Sequence, residues 1–318
     1  MTRTSAFLLS LYVAVSYVAA IYTTSRDLED YPSGRDDPRV IRRRMKRITL
    51  VVLMNMFLIP WLISRYGDAE KAVSFREAVL DLGVVPGYRR NGIWDIVGYL
   101  QEICRAISLI GLLYVGPLTD AFLYYLLVPG KHWYTDFKEE MFNIWGLRNY
   151  VFAPITEEIV YTSMLVNIYC STFPADSPVR LKTVIWKTPL FFGVAHLHHA
   201  YEMQRQGVAS FATILFSCTL QIAYTTLFGS LTNYTFLRTG GNLWACIAIH
   251  ALCNFLGFPE SSKLAMHYTV VKKVDSPHLS RLLNIWKKCY LALLVMGLLF
   301  AKNMYQVLLQ SDGNQIVL

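Results

Sequence analysis

Apolar stretches of near-uniform length, separated by short polar ones, run through the chain. Eight of them approach or reach the roughly 20 residues that a helix needs to cross about 30 Å of hydrocarbon: 5–24, 47–64, 95–116, 147–171, 181–200, 210–236, 241–257 and 288–309. A further stretch, 117–130, is apolar but shorter, and reads as a re-entrant or interfacial segment or as a ninth span. The first stretch follows Arg3 and lacks a small-x-small cleavage site, so it reads as an uncleaved first helix rather than a signal peptide. No internal repeat or low-complexity region interrupts the pattern. The expectation is an all-α, polytopic transmembrane helical bundle of about eight spans, one integral membrane domain over 1–318 with a catalytic core at about 147–258.

Composition supports this reading. Charged residues make up 16% of the chain, against about 25% in soluble domains, and the mean hydropathy is +0.35. The 20 Tyr and 7 Trp suit rings that anchor helices at membrane interfaces. A net charge of +8 would fit a nucleic-acid partner only if it formed a stripe on a polar fold. Here it clusters between the apolar stretches, which argues against nucleic acid and for topology signals. The segment 25–47 carries eight Lys/Arg, including Arg42, Arg43, Arg44, Lys46 and Arg47, and 258–288 carries six. Both should be cytoplasmic, with both termini on the other side. The segment 65–94 is the exception, with five basic residues on the opposite side, and is expected to form an amphipathic helix in the interface. The six cysteines lie mostly in apolar runs and form no CxxC pair, so they read as small apolar fillers. A glycosylation sequon at Asn233 falls at the end of a span and carries little weight.

Three spans contain polar residues that lipid should not tolerate without a function. The first holds Ala153-Pro154-Ile155-Thr156-Glu157-Glu158-Ile159-Val160-Tyr161. Adjacent carboxylates on a helix point about 100° apart and are not expected to face one site, whereas Glu157 and Tyr161 share a face. The bland alternative is a salt bridge near the membrane surface, with Arg148 as partner. The second holds Phe192, His196, His198 and His199, with Phe192 and His196 one turn apart. The third holds His250, Cys253 and Asn254, where His250 and Asn254 share a face and could simply glue helices together. Measured from the cytoplasmic ends of their spans, Glu157, His196 and His250 lie about 15, 6 and 11 Å deep at 1.5 Å per residue. All three fall in one half of the bilayer, which suggests one site.

A buried Glu with a His suits activation of water, and a His with an amide suits an oxyanion hole. Together they describe peptide hydrolysis. Zinc is the rival reading, since one Glu and two His can ligate it, although HExxH is absent. Cys253 as nucleophile shares a helix with His250, which constrains attack poorly. A transporter or scaffold is the non-enzymatic reading, but no symmetric pair of broken helices favours it.

Glu157-Glu158-x-x-Tyr161, then Phe192-x-x-x-His196, then His250-x-x-x-Asn254 resembles the type II CAAX prenyl endopeptidases. These are the Ras-converting enzymes of the ABI clan of intramembrane proteases. The stretches APITEEIVYTS, FGVAHLHHAYE and HALCNFLG look like the eukaryotic members, fungal ones especially. Where the wider clan often has EExxxR, this chain has Thr162, which fits the eukaryotic branch and leaves open what balances Glu158. The resemblance implies that Glu157 and His196 activate water without a metal or other cofactor, and that His250 and Asn254 stabilise the oxyanion. Glu158, Tyr161, Phe192 and Cys253 would support the site. The implied partners are farnesylated or geranylgeranylated CAAX proteins, such as Ras-like GTPases, together with membrane lipid. The implied place is the endoplasmic reticulum membrane, with the active site facing the cytosol.

Overall fold

A computed structural model describes residues 1–22, 36–67, 73–90, 92–173, 181–207 and 209–309. Its long elements are helices, as the apolar pattern requires. Five are long and apolar enough to cross a membrane: α1 (Arg3–Tyr22), α2 (Pro38–Tyr66), then, after the short α3 (Phe75–Leu80), α4 (Ile96–Leu113). The last two of the five are introduced below in chain order.

The stretch 117–130 does not turn back across the bundle. It forms α5 (Val115–Leu127), joined to α4 through Tyr114 alone, whose φ −96 and ψ 20 stay near helical values. The α4–α5 path therefore bends but keeps its direction. A short helix, α6 (Trp133–Met141), follows.

The fourth predicted span is α7, a continuous helical path over 144–170 with two wide π turns, Leu147–Phe152 and Glu158–Met164. In such turns each N–H bonds five residues back, and they often mark functional positions. The fifth is α8, a π turn Thr183–Lys187 running into Pro189–Ala195, continued after His196 by α9 (Leu197–Gln206). The remaining helices are α10 (Phe211–Arg238), the shorter apolar α11 (Leu243–Leu256), the one-turn α12 (Lys263–Met266) and α13 (Pro277–Leu308). Helices α10 and α13 complete the set of five.

Close approach of small residues holds the bundle together, as expected where lipid offers no hydrophobic contrast. A methyl built on Gly193 of α8 would lie 2.2 Å from Thr226 Oγ1 and 2.9 Å from the Ile222 carbonyl of α10. One on Gly297 of α13 would meet the carbonyls of Leu112 and Leu113 at 2.9 and 2.6 Å. Gly116 meets Leu294, and Trp286 Nε1 donates to Asp120, so α13 runs antiparallel along the whole bent α4–α5 path. Gly193→Ala is expected to cost about 1–3 kcal/mol of stability and to shift His196, three residues on. Thermal unfolding in detergent alongside an activity assay would show both effects falling together.

At one end, Asp37 caps α2 by accepting the Arg39 N–H at 2.8 Å. That N–H holds the Asp37 carboxyl below its ordinary range. Arg47 of α2 donates to the Ala20 and Ile21 carbonyls at the end of α1, at 3.0 and 3.1 Å, satisfying groups the helix end leaves open.

The other end corrects the expected interfacial helix over 65–94. Among the described residues beyond the end of α2, only the six of α3 are helical there, capped at their start by a Ser74–Glu77 capping box, and residues 81–90 fold onto the bundle. The Leu82 carbonyl accepts from Ser163 Oγ at 2.7 Å and the Val84 carbonyl from Trp244 Nε1 at 3.0 Å. Gly83, at φ +70, passes so close to Gly241 that a Cβ would lie 2.2 Å from its carbonyl oxygen. Arg89, 3% exposed, pairs with Glu102 at 2.7 Å and Asp95 at 3.1 Å, and Asn242 donates to Glu102 at 2.8 Å. Two of the five basic residues, Arg89 and Arg90, are thus internal ion-pair partners rather than interfacial anchors.

Candidate functional site

Helices α1, α2, α7, α8 and α9 enclose a cavity of about 640 Å³. Its wall reaches the end where α2 begins with its basic run, through Asp36, Ile41 and Arg44, and includes Gln221 of α10. Glu157, Tyr161, Phe192 and His196 all lie on its wall, so α7 and the end of α8 bring together four of the residues singled out in the sequence. Tyr161 and Phe192 have ring centroids 4.9 Å apart, and Phe192 and His196 likewise. Tyr17 of α1, which no polar pattern marks in the sequence, completes the wall. Its hydroxyl is 3.0 Å from Thr156 Oγ1, and its ring meets Tyr161 edge-on at 5.5 Å.

The ring of His196 is fixed by its backbone. Its Nδ1 lies 2.8 Å from the Phe192 carbonyl. A carbonyl only accepts, so Nδ1 carries the hydrogen and Nε2 keeps its lone pair for another group.

His250 lies behind this wall, buried, against Phe192 and Phe228. Its Nδ1 is 2.7 Å from Glu158 Oε1, and its Nε2 is 3.7 Å from Glu157 Oε2. The adjacent carboxylates do point apart, with only Glu157 on the cavity wall, yet both reach His250. The nitrogens of one imidazole lie on different edges of the ring, so carboxylates on different faces of α7 can each meet one. The wide turn that starts at Glu158 also reduces the rotation per residue. This contact answers what balances Glu158: His250 does, while Thr162, at the clan's Arg position, bonds Thr232 Oγ1 at 2.9 Å. The second Glu158 oxygen, Oε2, is buried without a hydrogen-bond partner.

Asn254 also faces α7, but it is exposed and its Nδ2 donates to the Asn149 carbonyl at 3.0 Å. Asn149 is itself on the cavity wall. Cys253 lies apart from the cavity, packed with Ile110 and Tyr114 in the cluster between α11 and α4. The salt bridge considered between the paired glutamates and Arg148 is not formed. Arg148 pairs with Asp36 at 2.9 Å.

One further polar group at the cavity, Glu202, had no sequence signal. Glu202, 3% exposed, pairs with Arg44 at 3.1 Å and accepts from Tyr22 at 3.0 Å. His198 and His199 stack beside it, with centroids 4.0 Å apart. Among the described residues no group of three or more His, Cys, Asp or Glu is arranged to hold a metal ion.

Membrane-length helices around a polar cavity with Glu157 and His196 on its wall, backed by the buried Glu158–His250 pair, define a multi-pass membrane protein with the layout of an intramembrane hydrolase. Residues 139–256 match the family described as type II CAAX prenyl endopeptidase, Rce1-like. Over its full length the chain is 44% identical to CAAX prenyl protease 2 of Saccharomyces cerevisiae, all of which it covers. It is 30% identical over 264 residues to CAAX prenyl protease 2 of Homo sapiens, covering 78% of this chain and 69% of that protein. It is 28% identical to the Caenorhabditis elegans protein of the same name, covering 79% and 83%. No solved structure matches. The chain belongs to the type II CAAX prenyl endopeptidase family and is a protease.

Proposed function

We propose that this protein removes the C-terminal tripeptide from prenylated CAAX proteins by attack of a Glu157-activated water, without a metal. The observation that carries the reading is the placement of Glu157. It faces the cavity beside His196 while its other side meets His250, which Glu158 holds from behind. Glu157 takes the proton of the attacking water, and His196 Nε2, open because Nδ1 is occupied, accepts or returns a proton across the same space. His250 orients Glu157. This differs from the expected oxyanion role, because its two nitrogens already face carboxylates. Asn254 reaches an oxyanion by exchanging the Asn149 carbonyl for the substrate's.

The metal-free reading is supported over zinc by the donor set, since no group of three or more His, Cys, Asp or Glu among the described residues is arranged to hold a metal ion. The catalytic core of this domain is taken as about 147–258. The cavity reaches the end that carries Arg42, Arg43, Arg44, Lys46 and Arg47, with Arg44 on its wall. The positive-inside rule makes that end cytosolic, which suits prenylated tails arriving from the cytosol at the endoplasmic reticulum membrane, Ras-like GTPases among them, with the lipid entering laterally.

The test is cleavage of farnesylated and unprenylated CAAX peptides by the purified protein, with and without chelator. Chelator-resistant cleavage of the prenylated peptide is the expected result. Chelator loss rescued by zinc, with stoichiometric metal in the protein, would establish the zinc reading instead.

A further inference from the structure

We propose that Arg148 reads the free C-terminal carboxylate of the substrate; this specificity contact rests on the CAAX reading above. A carboxylate that leaves water for a cavity needs a cation to meet it. The wall offers two guanidinium groups, Arg44 and Arg148.

Reach favours Arg148. It stands on the same continuous helical path as Glu157, nine residues earlier, which is at most about 13 Å at 1.5 Å per residue. The three residues released from a CAAX tail span about 10 Å when extended, and the Arg148 side chain covers the remainder. A scissile bond beside Glu157 therefore places the terminal carboxylate at Arg148.

The local contacts favour it as well. Arg148 already binds a carboxylate, that of Asp36, with Nη1 to Oδ1 at 2.9 Å. Its Nε donates to Asn149 Oδ1 at 2.8 Å, which fixes the plane of the fork. Trp145 Nε1 holds the Asp36 carbonyl at 3.0 Å, so Asp36 is kept at the rim. The pair is open to solvent, with side chains 28% and 53% exposed. An incoming carboxylate can take the place of Asp36, and the planar fork can hold it on two donors. Arg44 is committed elsewhere. Its partner Glu202 is 4% exposed, and releasing Arg44 would leave a buried carboxylate without its guanidinium.

The test compares two prenylated peptides that differ only at the C-terminus, one a free acid and one an amide, with the full-length protein in detergent or vesicles. Wild type is expected to prefer the acid by about tenfold or more in kcat/KM, mainly through KM. Arg148→Gln should bring the acid-to-amide ratio to about one, and Arg148→Lys should keep part of it. Asp36→Asn should lower KM for the acid alone, because the competing carboxylate is gone. Equal cleavage of both peptides by wild type, an unchanged ratio in Arg148→Gln, or loss of the ratio in Arg44→Gln would overturn the assignment while leaving the CAAX reading standing. If Arg148→Gln fails to fold, unchanged ratios in Arg148→Lys and Asp36→Asn together overturn it. Cleavage of neither peptide by wild type defeats the CAAX reading and this assignment with it.

Discussion

Glu157→Gln is expected to lower kcat for a farnesylated CAAX peptide by about 10²- to 10⁴-fold, the range for removal of a positioned general base, with little change in KM. Gln keeps the shape of the side chain and its place on the cavity wall, so the loss would report proton transfer rather than packing. Glu158→Gln should cost less, because Glu158 touches His250 and lies outside the cavity wall. Its effect travels through the orientation of His250, and a shift in the pH profile should accompany the drop in rate. Steady-state kinetics of both variants decide the order. If Glu158→Gln proved the more damaging and Glu157→Gln retained most of its activity, the roles of the two carboxylates would have to be exchanged.

The largest expected effect on stability lies at the opposite end of the bundle. Arg89→Ala would leave Glu102, 5% exposed, with only the Asn242 amide as donor among its described partners. Breaking a buried pair by removing one partner typically costs about 3–5 kcal/mol. Thermal unfolding in detergent should show the loss, with a marked fall in expression as its cellular counterpart. The double change Arg89→Met with Glu102→Leu should be milder than Arg89→Ala, because it leaves no unpaired charge. A double variant as unstable as the single one would mean that the hydrogen bonds from Arg89 to the Thr239 carbonyl and to Asp95, rather than the ion pair, hold this end together.

Helix content and the candidate residues are legible in the sequence because burial in lipid imposes a simple rule on length and polarity. Glu157, His196 and His250 break that rule openly, and the structure brings Glu157 and His196 to one cavity with His250 directly behind. The partnerships are not legible in the same way. Arg44 meets Glu202 and Arg148 meets Asp36 across more than a hundred residues, and no periodicity links charges so far apart. Helical-wheel reasoning separates Glu157 from Glu158 but misses that both meet one ring. It asks whether both aim at one point, whereas the ring between them offers two separate edges. Basic residues near a membrane end read as topology signals, yet Arg89 is an internal partner, because charge counting does not register a nearby Glu102. Cys253 shares a helix with His250 but not a face, and α11 turns it towards Tyr114 and Ile110.

The wide turns of α7 have a further consequence. A π turn carries one residue more than the α turn it replaces, so the segment Leu147–Phe152 holds a spare residue ahead of Glu157. Losing one residue there would not break the helix. It would tighten the turn into an ordinary one and leave the residues on either side facing almost as before, because the wide turn spreads one turn's rotation over its extra residue. The same loss from the ordinary stretch Ala153–Glu157 would swing everything before it by about 100° relative to the catalytic half of the helix, so Leu147–Phe152 is where α7 can change length without carrying Arg148 off the wall.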